Sequence, residues 1–144
     1  DYSLYAATCI ARNQYRAADA RKAEKALHVL FEKFSSSLSL TVSELQNLIE
    51  SQVPEENRKL VYDHTRTFTV PVRTSYSLRF LNLTQMLDTL VAWTDTLAIN
   101  GVMTPENSDR SVKSWIHLYR AFCKGINKIR LESSPATAAK KKSA

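Results

Sequence analysis

Residues 66–81 read RTFTVPVRTSYSLRFL, and the conformation of this stretch decides the architecture of the chain. Phe68, Val70, Val72, Tyr76, Leu78 and Phe80 occupy even positions, while Thr67, Thr69, Pro71, Arg73, Ser75, Ser77 and Arg79 occupy odd ones. A period of two sends alternate side chains to opposite faces, so the spacing predicts a strand, or two strand pieces, with one apolar and one polar face. A lone strand leaves its backbone N–H and C=O groups unpaired, and no Asn-Gly or Asp-Gly turn inside the stretch favours a hairpin. Pairing with the same strand of a second copy is the better expectation, which makes the protein a homodimer.

Working outward, the rest of the chain reads as helix. Upstream, Tyr2 to Phe34 has no Pro or Gly, and Ala20, Ala23, Leu27, Leu30, Phe31 and Phe34 recur at three- and four-residue steps. Ser35-Ser36-Ser37 reads as an interruption. Thr41-Val42-Ser43-Glu44 then reads as the capped start of a second helix, which Val53-Pro54 ends. The first 61 residues are thus expected to form a helical hairpin.

Downstream, Asn82-Leu83-Thr84-Gln85 has the form of a capping box, and an apolar stripe from Leu83 to Ala98 runs to the stop signal Asn100-Gly101. Thr104-Pro105-Glu106 combines a cap, a first-turn Pro and a first-turn acid, and predicts a last helix fading near Leu131. Residues 132–144, ESSPATAAKKKSA, are small, polar and cationic, and are expected to be a disordered basic tail.

The chain has 144 residues, a one-domain length, and 44% of them are apolar, but no apolar run approaches the ~20 residues that span a bilayer. Two glycines leave no material for a dinucleotide or phosphate loop. Cys9 and Cys123 read as small buried hydrophobes rather than a disulfide or metal pair. The opening DYSLYAATCIARNQYR lacks the continuous apolar core of a signal peptide, so a cytoplasmic location is expected. It begins at Asp1 rather than Met, which suggests that upstream residues are missing.

The net charge of +6 is uneven along the chain. Residues 1–61 hold eight basic and eight acidic residues, residues 62–131 nine and five, and residues 132–144 three and one. An anionic partner would be drawn to the second half, since neutralising phosphates releases condensed counterions.

Nothing in the chain reads as catalytic machinery. His28, His64 and His117 lie far apart, and HExxH, Cys-x-x-Cys, Gly-x-Ser-x-Gly and P-loop motifs are all missing from the sequence. The expectation is a protein that is not an enzyme and needs no cofactor, metal or small-molecule substrate.

A strand, a capped helix, a Gly-containing turn and a second capped helix follow the order of a ribbon-helix-helix module, in which two strands from two chains enter the DNA major groove. The odd-numbered face, free of acids, would then read bases: Arg73 and Arg79 by chelating guanine, with Thr67, Thr69, Ser75 and Ser77 making less discriminating contacts. Thr104 at the start of the last helix, with Arg110, Lys113, Lys124 and Lys128 along it, would meet phosphates.

The run PVRTSYSLRFLNLTQMLDTLVAWTDTLAINGVMT resembles the central segment of a family of small proteins of integrating conjugative elements and conjugative plasmids, the family that includes the AcaB transcriptional activator. The likeness is clearest over 70–104, with a looser match of the charged N-terminal helix. It implies a ribbon-helix-helix dimer that binds promoter DNA and controls conjugation genes, most simply as an activator.

The expected fold is therefore mainly α. A helical hairpin over 1–61 precedes a ribbon-helix-helix-like module over 62–131, whose two-stranded antiparallel β-ribbon forms between copies. The alternative function is an interaction or assembly protein of a conjugation apparatus that binds no DNA.

Overall fold

Three α-helices account for most of the chain in the computed structural model, which describes residues 17–58, 62, 69, 71–72 and 74–132. They are α1 (Ala17–Gln52), α2 (Ser75–Ile99) and α3 (Pro105–Glu132), with one 3-10 turn at Glu55–Asn57. Among the described residues there is no strand, and no helix is long and apolar enough to cross a membrane.

The expected β-ribbon is thus corrected: Ser75 to Leu81 forms the first two turns of α2. Thr74 starts this helix. Its Oγ1 accepts from the Ser77 N–H at 3.1 Å, and its carbonyl accepts from the Leu78 N–H at 3.1 Å. The alternation fails at two neighbouring positions, because odd-numbered Ser77 is buried and even-numbered Leu78 is 49% exposed. What the even numbering concealed is a helical repeat. Tyr76, Leu83, Leu90 and Leu97 recur every seven residues and are all buried, with Phe80, Leu87 and Thr94 four residues after the first three. Asn82, read as a cap, sits exposed within α2.

The helical hairpin is corrected too. Helix α1 runs unbroken through Ser35–Ser37 and through Thr41–Glu44. Three serines cost only a few tenths of a kcal/mol each in helix propensity. Phe34 and Leu38, on either side of them, are both buried, and fully burying such a side chain contributes about 1.5–3 kcal/mol. The core stripe carries the helix across the weak segment. Where the sequence places its end, α1 does stop: Val53 donates its N–H to Ile49, and Pro54 follows. Arg58 closes that end by donating from Nε to the Val53 carbonyl at 3.0 Å and from Nη2 to the Glu50 carbonyl at 2.9 Å.

The chain divides into two compact units, and neither is a consecutive stretch. Among the described residues, the first unit comprises 17–35, 72, 74–80 and 119–132; the second comprises 36–58, 62, 69, 71 and 81–118.

The first unit is built on aromatic rings. Phe31 meets Tyr76 at 5.3 Å and Phe122 edge-on at 5.0 Å between ring centroids, while Phe34 stacks on Phe122 at 4.6 Å. Leu27 and Ile126 extend this core. At Gly125, a Cβ would come within 3.0 Å of Leu30 Cδ2, so the glycine lets α3 approach α1 closely here.

The second unit buries Leu38, Leu45, Ile49, Leu83, Leu90, Leu97 and Trp115. It also buries Thr94 and Thr96, whose hydroxyls donate to the Leu90 and Ala92 carbonyls one turn back, at 2.7 and 2.8 Å. Helix α2 ends in a Schellman arrangement, with Val102 N–H on the Leu97 carbonyl and Gly101 N–H on the Ala98 carbonyl; Gly101 takes φ +72° to allow it. Thr104 then caps α3, its Oγ1 accepting from the Asn107 N–H at 3.3 Å, in agreement with the sequence signal.

Candidate nucleic-acid interface

The two units differ sharply in charge. Among the described residues the first holds nine Lys and Arg against four Asp and Glu, a net of +5. The second holds three against eight, a net of −5. A chain with a modest overall surplus thus places its cations where an anionic surface could meet them together.

Within the first unit the exposed face of α3 carries Arg120, Lys124 and Lys128, four residues apart and therefore on one side of the helix. The side opposite holds the buried Phe122 and Ile126, so the stripe faces away from the core. Arg120 and Lys124 make no ion pair with a described residue, whereas Lys128 lies 3.9 Å from Glu132 with both side chains well exposed. Beside this face is an open groove of about 570 Å³ between α1 and α3. Lys22, Lys25 and Lys33 of α1 and Lys128 of α3 stand around it, and Ala26, Val29, Leu30 and Ile129 line its apolar floor.

The other expected phosphate contacts fall in the second unit and are engaged locally. Thr104 serves as the α3 cap, Arg110 Nη1 donates to Asn107 Oδ1 at 3.4 Å, and Lys113 Nζ pairs with Asp109 at 2.6 Å. The structure does not bring Thr104, Arg110 and Lys113 into one unit with Lys124 and Lys128.

The expected base readers do not form a face. Thr67 and Arg73 lie outside the described residues. Thr69 is exposed and outside any helix, Ser75 is the exposed first residue of α2, and Ser77 is buried with its hydroxyl 3.0 Å from Thr74 Oγ1. Arg79 donates to Glu32 Oε1 at 2.6 Å and rests over the Phe31 ring. A shared polar face at odd positions requires strand geometry, and residues 75–81 are helical.

Lys22, Lys25 and Lys33 do not stand out in the sequence, where they read as the polar side of an amphipathic helix. Their spacing is visible there; that they gather around one groove with Lys128 depends on α1 packing against α3.

The second unit holds a groove of about 590 Å³ lined by Tyr62, Asp95, Ala98, Ile99, Pro105, Ser108, Asp109 and Val112. Tyr62 donates to Asp95 Oδ2 at 3.2 Å. Burial, followed by the neighbouring Asp95 and Asp88 carboxylates, pushes its phenol above the usual value of 10.0. Two carboxylates and a protonated phenol make this groove unsuited to phosphate. Among the described residues no three His, Cys, Asp or Glu side chains converge as metal ligands. Burial raises the Cys123 thiol from 9.0, which holds it in the less reactive protonated form.

No protein-family profile, curated protein or solved structure matches the chain. The class that the described residues define is a helical protein with a basic and an acidic unit.

Proposed function

We propose that this protein binds double-stranded DNA through the basic face of its first unit, with Arg120, Lys124 and Lys128 on α3 neutralising backbone phosphates. The observation that carries the reading is the concentration of charge: nine cations against four acids among the described residues of the first unit, with Arg120 and Lys124 of the three-cation stripe making no ion pair with a described acid. The stripe covers about 12 Å of helix axis, and each DNA strand presents a phosphate every ~3.4 Å along the duplex axis, so three cations can engage three phosphates at once. Such contacts give affinity and orientation but little sequence information. A regulatory role at conjugation genes rests on the resemblance of residues 70–104 to the conjugative-element family.

The test is a salt series of equilibrium binding to a random duplex and to a promoter fragment from conjugative-transfer genes. The expected result is a linear fall of log Kobs with log salt. Replacing Arg120, Lys124 and Lys128 together by Ala should flatten that slope by about 0.9 for each phosphate no longer neutralised. No binding at low salt, or an unchanged slope in the triple variant, would overturn the reading.

The alternative, an interaction protein of a conjugation apparatus, is favoured by one observation. The floor of the groove beside Lys128 is apolar, and a phosphate backbone cannot use it.

A further inference from the structure

The groove between α1 and α3 lies wholly within the first unit and combines an apolar floor with cationic walls. Leu30 and Ile129 are half-buried in it, and Val29 is 58% exposed. Gly125 adds no side chain to the floor: the Cβ it lacks would press on Leu30 Cδ2 at 3.0 Å, so that part of the groove stays uncovered. The α1 wall runs from Lys22 to Lys33, about 16 Å of helix axis, and Lys128 stands on the α3 wall. Lys22 and Lys25 make no ion pair with a described residue. Of the acids on this stretch of α1, neither Glu24 nor Glu32 lines the groove, and Glu32 is held by Arg79. The acid that does line it, Glu132, lies 3.9 Å from Lys128.

These features select the occupant by its chemistry. A phosphate backbone has nothing to place on the floor. A single acyl chain carries one charged end, whereas the cations here are spread along the groove and over both of its walls. A flat membrane would meet the rim and leave the concave floor unfilled. A helix with an apolar stripe edged by Asp and Glu satisfies both parts at once. Three turns of such a helix match the 16 Å wall, and they present anchors at i, i+3 or i+4, and i+7, the pattern by which an amphipathic helix fills a groove.

We infer that this groove docks an acidic amphipathic helix of a partner protein, with its apolar stripe on Val29, Leu30 and Ile129 and its acids toward Lys22, Lys25 and Lys128. The floor supplies affinity through buried apolar area, and the rim supplies steering and selects against basic partners. The inference does not rest on the DNA reading. The two share Lys128 alone, and loss of DNA binding in the salt series would leave the docking of a helix untouched.

The experiment is fluorescence anisotropy on the full chain. The probe is a labelled, end-capped peptide of about four turns, with Leu at i, i+4, i+7 and i+11 and Glu on either side of that stripe. Saturable binding is expected. A peptide of the same composition with its leucines spread around the helix should bind at least roughly tenfold more weakly, because it has the charge without the stripe. Val29→Gln should raise the dissociation constant by roughly tenfold. Lys22→Glu combined with Lys25→Glu should do the same and remove most of the salt dependence. These side chains are exposed, and circular dichroism with urea midpoints verifies that each variant is folded. Absence of saturable binding, equal affinity for the rearranged peptide, or unchanged affinity in folded Val29→Gln would each overturn the inference. Binding to phosphatidylglycerol vesicles that Val29→Gln weakens and the peptide does not displace would overturn it too, in favour of a membrane surface.

Discussion

The Arg79 guanidinium donates to Glu32 Oε1 at 2.6 Å while its central carbon lies 5.4 Å from the centre of the Phe31 ring, one residue before that acid on α1. The same group lies 5.8 Å from the Tyr76 ring. One side chain thus ties the second turn of α2 to α1 by charge and by ring contact within the first unit. Both partners keep substantial solvent exposure, 35% and 53%, so the ion pair by itself contributes at most about 1 kcal/mol, and the ring contacts add a similar amount. Arg79→Ala should lower stability by about 1–2 kcal/mol in urea unfolding. Arg79→Lys should recover only part of the loss, since an ammonium lacks the flat face that lies over Phe31. Combined with Glu32→Gln in a double-mutant cycle, the coupling should fall below about 1 kcal/mol.

The helical reading of residues 75–81 makes opposite demands on two neighbours. Leu78 is exposed and Ser77 buried. Leu78→Lys should change stability by no more than about 0.5 kcal/mol. Ser77→Lys should cost about 2 kcal/mol or more, because it forces a charge into a packed site and removes a hydroxyl that contacts Thr74. Chemical denaturation of both variants checks this, and a strand with its even positions buried would reverse the order.

At Gly101 an added Cβ would meet nothing within 4 Å, so a substitution there tests backbone conformation alone. Its φ of +72° belongs to the left-handed region. Gly101→Ala should cost about 1 kcal/mol in thermal or urea unfolding, and Gly101→Asn less, because Asn tolerates that conformation better.

Burial holds the Tyr76 phenol above its ordinary value of 10.0; Glu24 adds to the effect, Arg79 opposes it and Glu32 again adds. A group whose pKa is higher folded than unfolded binds its proton more tightly in the folded state. Its contribution is fully present below the ordinary value of 10.0 and is lost as pH rises through the folded value. Wild type should therefore lose stability more steeply than Tyr76→Phe as pH climbs past that point. Urea midpoints measured at neutral and alkaline pH would show it, and parallel curves for the two proteins would contradict it.

Composition and local signals are enough to make this a helical chain and to locate several of its boundaries. Val53-Pro54, Asn100-Gly101 and Thr104-Pro105 act through a residue's own backbone, whatever it packs against, and so they are legible in sequence. Lys124 and Lys128 are likewise visible as cations on one face of a long helix. Residues 75–81 are not settled at that level, because Tyr76, Leu78 and Phe80 fit a period of two as readily as the start of a seven-residue repeat. Tertiary packing decides for helix there, since Tyr76 meets Phe31 and Phe80 meets Phe122, at 5.3 and 6.1 Å between ring centroids. The same packing carries α1 through three serines, because burying Phe34 and Leu38 outweighs their weak propensity. It also divides the charge. Residues 1–61 sum to zero in sequence, yet their cations Lys22, Lys25 and Lys33 fall in the first unit and their acids Glu44, Glu50, Glu55 and Glu56 in the second. Which charges act together depends on distance through space, and that distance is set only when helices far apart in sequence pack together.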